Sequence, residues 1–365
     1  MEIPSQYSDS LRQKIQLLRS RMQPLTIGES QIEMANPLWL APMSAICTAP
    51  FRVFMEELGA GLTVSELVSC HGINHGNERT IKMLKLHPKE KNVGLQLFGE
   101  DAEAMAKAAQ RAQEFEPKFI DINMGCPVRK VVSKGGGSAL MKDTSTLGKF
   151  FGSIKKAIEV PLTIKIRTGW DMDSRNADEI IKIAHNEGVE FVAIHGRTRT
   201  QQYKGDADWN YIESLVDDSP LPLIGNGDLH SYQLARKRMR QTKCQALMLG
   251  RGPLRNPFLF LEAFKKEEED RTLEFYGSDY WEVTYRLFEL LQDHAFNERT
   301  LLVQLRKHVL WFVTGFNGAS HFRKQLFEYK TMDEVLKVTK DYFYAQEKFQ
   351  KQLDFESPFM TSGHG

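Results

Sequence analysis

Cysteine is scarce in this chain: four in 365 residues, at positions 47, 70, 126 and 244. They are far apart and form neither a CxxC pair nor a Cys/His zinc spacing, which excludes a disulfide framework and points to a reduced, cytoplasmic setting. No run of 18 apolar residues occurs, and the first 23 residues lack the apolar core of a signal peptide, so no membrane span or leader is expected. Charge of one sign is also missing. Against 47 Asp and Glu stand 48 Lys and Arg, a net +1, so any polyanionic partner must be held by local clusters. With 41% hydrophobic residues the chain has ample material for a packed core.

What is present is an alternation. Short apolar runs recur at 38–43, 62–67, 92–99, 119–125, 162–169, 191–197, 221–228 and 246–252, separated by segments of helical periodicity. In "DAEAMAKAAQRAQEF" Asp101 is placed as an N-cap, and "SRNADEIIKIAHNEG" ends on Gly188 as a C′ residue. Continuous apolar strands between helices mean a parallel sheet covered by helices. Eight units in about 215 residues fit an α/β fold of the closed (β/α)8 TIM-barrel type. A doubly wound sheet would carry a glycine-rich turn after its first strand, and "LAPMSA" is not one.

The expected divisions are a helical extension over 1–24, the barrel over 25–260, a helical domain over 275–352 and a flexible tail over 353–365. A small hairpin over 25–36 should plug the bottom of the barrel.

In barrel enzymes chemistry gathers at the carboxyl ends of the strands. Here those ends carry Pro42-Met43-Ser44, Glu66, Gln96, Asn123 with Cys126, Lys165 with Arg167, His195 with Arg197, Asn226-Gly227-Asp228, and Gly250-Arg251. The last two sets supply glycines that admit a ligand to the backbone and an arginine suited to phosphate, the usual anion site after strands seven and eight. Lys165 inside "LTIKIR" is costly to bury unless paired or functional. Cys126 could be a packing residue, as Cys47, Cys70 and Cys244 are read to be, or a reactive group. Its place beside Asn123, before the basic "VRKVVSKGGG", favours chemistry.

Two other motifs are set aside. "HGINH" has metal-like spacing, but Gly72 is expected to break the helix that would align His71 and His75, so no metal is expected. "GGG" at 135–137 lacks the Lys-Ser/Thr of a P-loop.

Taken together, "LAPM…PFR", "TVSELVS", "LQLFG", "DINMGCPVRKVVSKGGGSALMKD", "IKIRTGW", "IHGRTRTQQYKGDADW", "GNGDL" and "LGRGPLRNPFLF" resemble the tRNA-dihydrouridine synthases, closest to the bacterial B-type subgroup. The chain departs from the family at Ala45-Ile46-Cys47, where glycine-valine or similar is usual, and in the length of its N-terminal helix.

The resemblance implies an FMN-dependent oxidoreductase that reduces the C5=C6 bond of tRNA uridines with NADPH, or NADH, as reductant. It implies a monomer without an obligatory protein partner. Carried over, Pro42, Met43, Ser44, Gln96, Lys165 and His195 would contact the flavin. Asn226, Gly227, Asp228, Gly250 and Arg251 would hold its ribityl chain and phosphate. Cys126 would be the proton donor, Asn123 and Arg167 would meet the uracil, and Arg129, Lys130 and Arg197 would meet the RNA. In the helical domain, Arg306, Lys307, Arg323 and Lys324 are further candidates for gripping RNA. The competing readings are a flavin barrel acting on a free pyrimidine, in the manner of dihydroorotate dehydrogenases, and a non-catalytic RNA-binding module.

Overall fold

The computed structural model describes residues 2–354 apart from 267, 296, 348 and 350. A two-stranded antiparallel hairpin comes first, β1 (Leu25–Ile27) and β2 (Ile32–Met34). Eight strands follow: β3 (Leu38–Leu40), β4 (Leu62–Ser69), β5 (Val93–Phe98), β6 (Phe119–Met124), β7 (Leu162–Arg167), β8 (Val189–His195), β9 (Leu223–Asn226) and β10 (Ala246–Leu249). All pair in parallel, and β10 returns to β3 to close the barrel. The expected eight runs are thus the eight strands. Several of them stop short of the Gly- and Pro-containing residues that the sequence reading had included.

Interior side chains of the barrel lie in layers. At the bottom Trp39, Phe119 and Phe191 meet edge-on or stacked, with centroids 5.2–6.5 Å apart. Ile27, Ile32 and Met34 of the hairpin pack against them, which makes the hairpin the bottom plug. A Cβ on Gly94 would stand 2.2 Å from the Phe119 ring, so glycine there makes room for it. Above this apolar floor the register aligns Gln96 with Asp121 and Asp121 with Thr163, a polar layer. Asn123 and Lys165 are paired one step higher.

The remaining helices cover the barrel and extend beyond it. Asp101 caps Ala102–Gln113 through the Ala104 N–H, and Gly188 (φ 76°) follows Ala177–Asn186, both as expected. Four helices, Gly277–Gln292, Glu298–Phe312, Ala319–Gln325 and Met332–Tyr344, form the helical C-terminal region. It is fastened to the barrel by the buried Arg286–Glu57 pair (2.7 Å) and by Phe258 stacked on Phe275 at 3.9 Å. The N-terminal helix Asp9–Arg19 buries Leu11, Ile15 and Leu18 and pairs Lys14 with Asp279 at 2.6 Å. Arg21 pairs with Asp270, so this segment straps the helical region to the barrel.

Among the described residues, no helix is long and apolar enough to cross a membrane. No group of three or more His, Cys, Asp or Glu is placed to hold a metal. Gly72 does not break its turn: Cys70–Asn74 is helical, capped by the Ser69 hydroxyl, and His71 bonds Glu100 at 2.8 Å. Of the expected tail, residues 353 and 354 are described, and Arg255 donates to the Asp354 carbonyl at 2.8 Å. The rest, 355–365, lies outside the described residues.

Candidate active site

A cleft of about 1030 Å³, part of it open to solvent, lies at the carboxyl ends of the strands. The loop after β3 contributes Pro42, Met43 and Ser44, and the loop after β6 contributes Cys126. Lys165, Arg167, His195 and Arg197 reach it from β7 and β8, and Asn226, Gly227, Asp228, Gly250 and Arg251 from β9 and β10. Asn123 completes the lining from the sequence-derived set. Residues spread over more than 200 positions converge because every strand of the barrel ends on the same face.

Cationic groups dominate this lining. Burial first, and then the charges of Arg167, Lys165, Arg197 and Arg251, hold the His195 imidazole well below the ordinary value, hence neutral. Burial, and next the Arg167 charge, bring Lys165 down to about 8. Its ammonium donates to Asn226 Oδ1 at 3.2 Å, while Asn226 Nδ2 is fixed on the Met248 carbonyl at 2.6 Å. Among the described residues Asp228 is the one acidic side chain in the lining, and its carboxylate accepts from Arg197 (2.8 Å) and from the Ala207 N–H (2.7 Å). A net positive concavity remains, suited to an anionic ligand.

The glycines of the last two strand ends have distinct duties. Gly227 has φ 135°, and a Cβ there would lie 2.4 Å from that of Ala207, so only glycine fits. Gly250 has ordinary room, 3.9 Å from Ala41 and Met43. The helix after β10, Gly252–Arg255, has only four residues, too short for its N-terminus to be a strong anion site.

Cys126 is partly exposed into the cavity, and burial raises its thiol above the ordinary value. Its N–H donates to Asn123 Oδ1 at 2.9 Å, and its carbonyl accepts from the Ser138 hydroxyl at 2.9 Å. Gly137, the last of the three glycines, has φ 58°, and a Cβ there would stand 2.9 Å from the Cys126 carbonyl. The glycine run therefore packs against the back of the thiol loop. Of the other cysteines, Cys47 and Cys70 are buried, pushed up by that burial to about 12 and about 11, and Cys244 is half-buried. Cys244 lies behind Gly225, likewise pushed up to about 11.

Several expected residues sit elsewhere than the sequence suggested. Gln96 is fully buried beneath the cavity floor and does not line it, because its amide is engaged by Asp121 and Asn123. Arg197 is only 3% exposed, although it lines the cavity. Its guanidinium closes the 197–205 loop through the Lys204 and Gly205 carbonyls and Asp228. Arg167 similarly donates to the carbonyls of Gly125, Thr198 and Gln202, so it braces the thiol loop while facing the cavity. Arg129 and Lys130 lie outside the cavity, exposed on the short helix Arg129–Val132 beside Cys126. In the helical region Arg306 and Arg323 are turned onto backbone carbonyls, and Lys307 onto the mouth loop, leaving Lys324 exposed.

Two contributors were not singled out from sequence. Tyr203 lines the cavity with the Arg251 and Arg167 guanidinium carbons 5.0 and 5.8 Å from its ring centroid. An aromatic alone in the polar run "TRTQQYKG" was the available signal. Asp121 is the other, a fully buried acid raised to about 6 by that burial.

The model of the family described as dihydrouridine synthase (Dus) matches residues 39–350. A tRNA-dihydrouridine synthase B of Pseudomonas aeruginosa is 36% identical over 314 residues, covering 85% of this chain and 93% of that protein. The protein of the same name from Pseudomonas syringae pv. tomato is 38% identical, covering 79% and 86%. That of Pasteurella multocida is 36% identical, covering 82% and 90%. Among solved structures, histamine dehydrogenase from Rhizobium sp. 4-9 superposes with a TM-score of 0.52 at 12% identity, over 76% of this chain and 51% of that one. A 6-hydroxypseudooxynicotine amine oxidase from Pseudomonas geniculata N1 gives 0.52 at 11%, over 67% and 50%. At such identities the two structures speak for the barrel fold alone. The family match spans the barrel and the helical region together, and with relatives aligned over most of their length the chain belongs to the dihydrouridine synthase family, as an oxidoreductase of its B-type branch.

Proposed function

We propose that this protein reduces uridines in tRNA to dihydrouridine, with FMN seated across the cavity and NADPH or NADH as the source of electrons. The observation that carries the reading is that Cys126 and a cluster of cationic side chains line one cavity. The residues present fit a flavin phosphate. Arg251 and the backbone at Gly227 and Gly250 would take the phosphate and ribityl chain, with Asn226 and Asp228 holding that wall in shape. Lys165 and neutral His195 would lie under the ring's polar edge, where positive charge stabilises a reduced flavin. Pro42, Met43 and Ser44 would form the opposite wall.

When bound, the flavin supplies a hydride to C6 of the uracil. This chain's own part is the proton that C5 then needs. Cys126 is held on the loop after β6, and its raised pKa keeps the thiol protonated through neutral pH, as a general acid requires. Asn123 and Arg167 would meet the uracil edge, with Tyr203 on the rim. A base in folded RNA has to leave its stack to enter such a cavity. Arg129 and Lys130, exposed beside the thiol, would take the neighbouring phosphates. The protein is read as a cytoplasmic monomer.

A single experiment separates this reading from its competitors. Protein purified with its flavin is given NADPH and either tRNA lacking dihydrouridine or free uridine and orotate. Dihydrouridine formed on tRNA alone supports it. Equal turnover of the free pyrimidines, or no flavin and no turnover at all, overturns it.

A further inference from the structure

Beneath the cavity four side chains form one continuous line of hydrogen bonds that ends on the backbone of the thiol loop. Thr163 Oγ1 donates to Asp121 Oδ1 at 2.7 Å, and Gln96 Nε2 donates to Asp121 Oδ2 at 2.7 Å. Asn123 Nδ2 donates to Gln96 Oε1 at 2.8 Å. Asn123 Oδ1 then accepts from the Cys126 N–H at 2.9 Å and, more weakly, from the Gly125 N–H at 3.3 Å. Register explains the placement, since Gln96, Asp121 and Thr163 occupy one layer of three adjacent strands.

The chemistry of the first member decides the rest. An ionised carboxylate only accepts. Gln96 must therefore present its NH2 to Asp121 and its oxygen to Asn123. Asn123 must in turn present its NH2 to Gln96, leaving its oxygen for Cys126. Reversing either amide would set acceptor against acceptor at one buried link and donor against donor at the next, leaving both unmet. Gln96 is 0% exposed, Asp121 3% and Asn123 7%, so water has little access to repair such a fault.

We infer that Asp121 is a positioning residue: through Gln96 and Asn123 it fixes the polarity of a buried relay that sets the backbone, and so the thiol, of Cys126. The inference rests on the reading of Cys126 as the proton donor, but its direct readout does not. Lys165, next above on β7, is the charged group that acts on Asp121, and it favours the carboxylate. With an ordinary burial-raised value of about 6 for Asp121, the relay is set at neutral pH and exposed to acid.

The test is hydrogen exchange at the Cys126 amide, alongside kcat and KM on tRNA, in the flavin-loaded protein. Asp121→Asn can donate where the wild type accepts. It should speed Cys126 exchange about tenfold or more and lower kcat by a similar factor, with flavin content and KM for tRNA little changed. The double variant D121N/Q96E moves the charge one link along and restores an acceptor facing Asn123, so it should recover slow Cys126 exchange. Unchanged exchange in D121N, or no recovery in the double variant, overturns the inference. Should D121N not fold, the wild-type protein decides. The protection of the Cys126 amide, relative to its intrinsic rate, should fall between about pH 7 and pH 5 while Lys165 stays charged. A flat profile overturns it. A protein that makes no dihydrouridine would fail the functional reading yet leave the exchange result standing on its own.

Discussion

Lys307, on the helix Glu298–Phe312 of the C-terminal region, donates to the carbonyl of Ala45 at 2.6 Å, in the loop after β3 that forms one wall of the cavity. The N–H of Ala45 donates to the Glu66 carboxylate at 2.5 Å. The N–H and the carbonyl of this one residue are thus held by charged groups, one from each part of the molecule. The helical region does more than extend the surface: it grips the mouth of the barrel.

Ala45 adopts φ 57° to make those bonds. In that left-handed conformation a side chain costs about 1–2 kcal/mol. Ala45→Gly should therefore leave the melting temperature unchanged or raise it. Ala45→Val adds a branched side chain at the same angle and should cost more than about 1 kcal/mol, with weaker flavin retention. Equal melting temperatures for the two variants would show that the loop is not held in this conformation.

Cys126 gives a pH signature. Burial raises its thiol, and the proton it donates is present only below its pKa. Turnover on tRNA should stay level through neutral pH and fall only above the ordinary thiol value of about 8.5. Cys126→Ala should lose about 10²–10⁴ in kcat, the range for a general acid, while keeping its flavin. Cys126→Ser should retain a trace of activity without the alkaline limb. A wild-type limb below neutrality would assign the proton to another group.

Arg251 should act on cofactor retention and not on proton transfer. A charge-assisted hydrogen bond contributes about 1.5–3 kcal/mol, so Arg251→Ala should weaken FMN binding by about tenfold or more, read by flavin fluorescence on titration. Riboflavin, which has no phosphate, should bind wild type and variant alike. An equal loss for both ligands would place Arg251 at the ring and not at the phosphate.

The barrel was legible because its strands are buried on both faces and so read as continuous apolar runs. The catalytic candidates were legible because a polar residue at the end of such a run has few structural reasons to be there. What the sequence hides is the direction in which a long side chain turns. Arg197, Arg306 and Arg323 look alike in a charge count, yet each is spent on carbonyls inside its own loop or helix pair. Gln96 belongs to the right layer but lies one step below the ligand surface. Asp121 was hidden by its surroundings, because one acid in "FIDINM" gives no sign of its partners on two neighbouring strands. Gly72 misled for a different reason: a hydroxyl cap at Ser69 holds a single turn that helix propensity alone would not.

Glu56 makes a last prediction, about stability. It lies in the helix Ala49–Glu57, 6% exposed, and its carboxyl is pushed up to about 8, first by burial and then by the Glu90 charge beside it. Its ordinary value is 4.5, so between 4.5 and about 8 the folded protein holds a proton that the unfolded chain releases. The stabilising contribution is complete below the unfolded value and is lost as pH rises through the folded one. In that window stability should fall by as much as about 1.4 kcal/mol per pH unit, then level off at higher pH. Glu56→Gln keeps the neutral form's shape, with its oxygen able to accept from the Lys91 N–H that now bonds Glu56 at 3.3 Å. Denaturation midpoints of that variant should lose this slope and lie above wild type at about pH 8, while the two converge toward acid. Parallel curves across the range would mean that Glu56 is ionised in the folded state and that its proton is not shared with the interior.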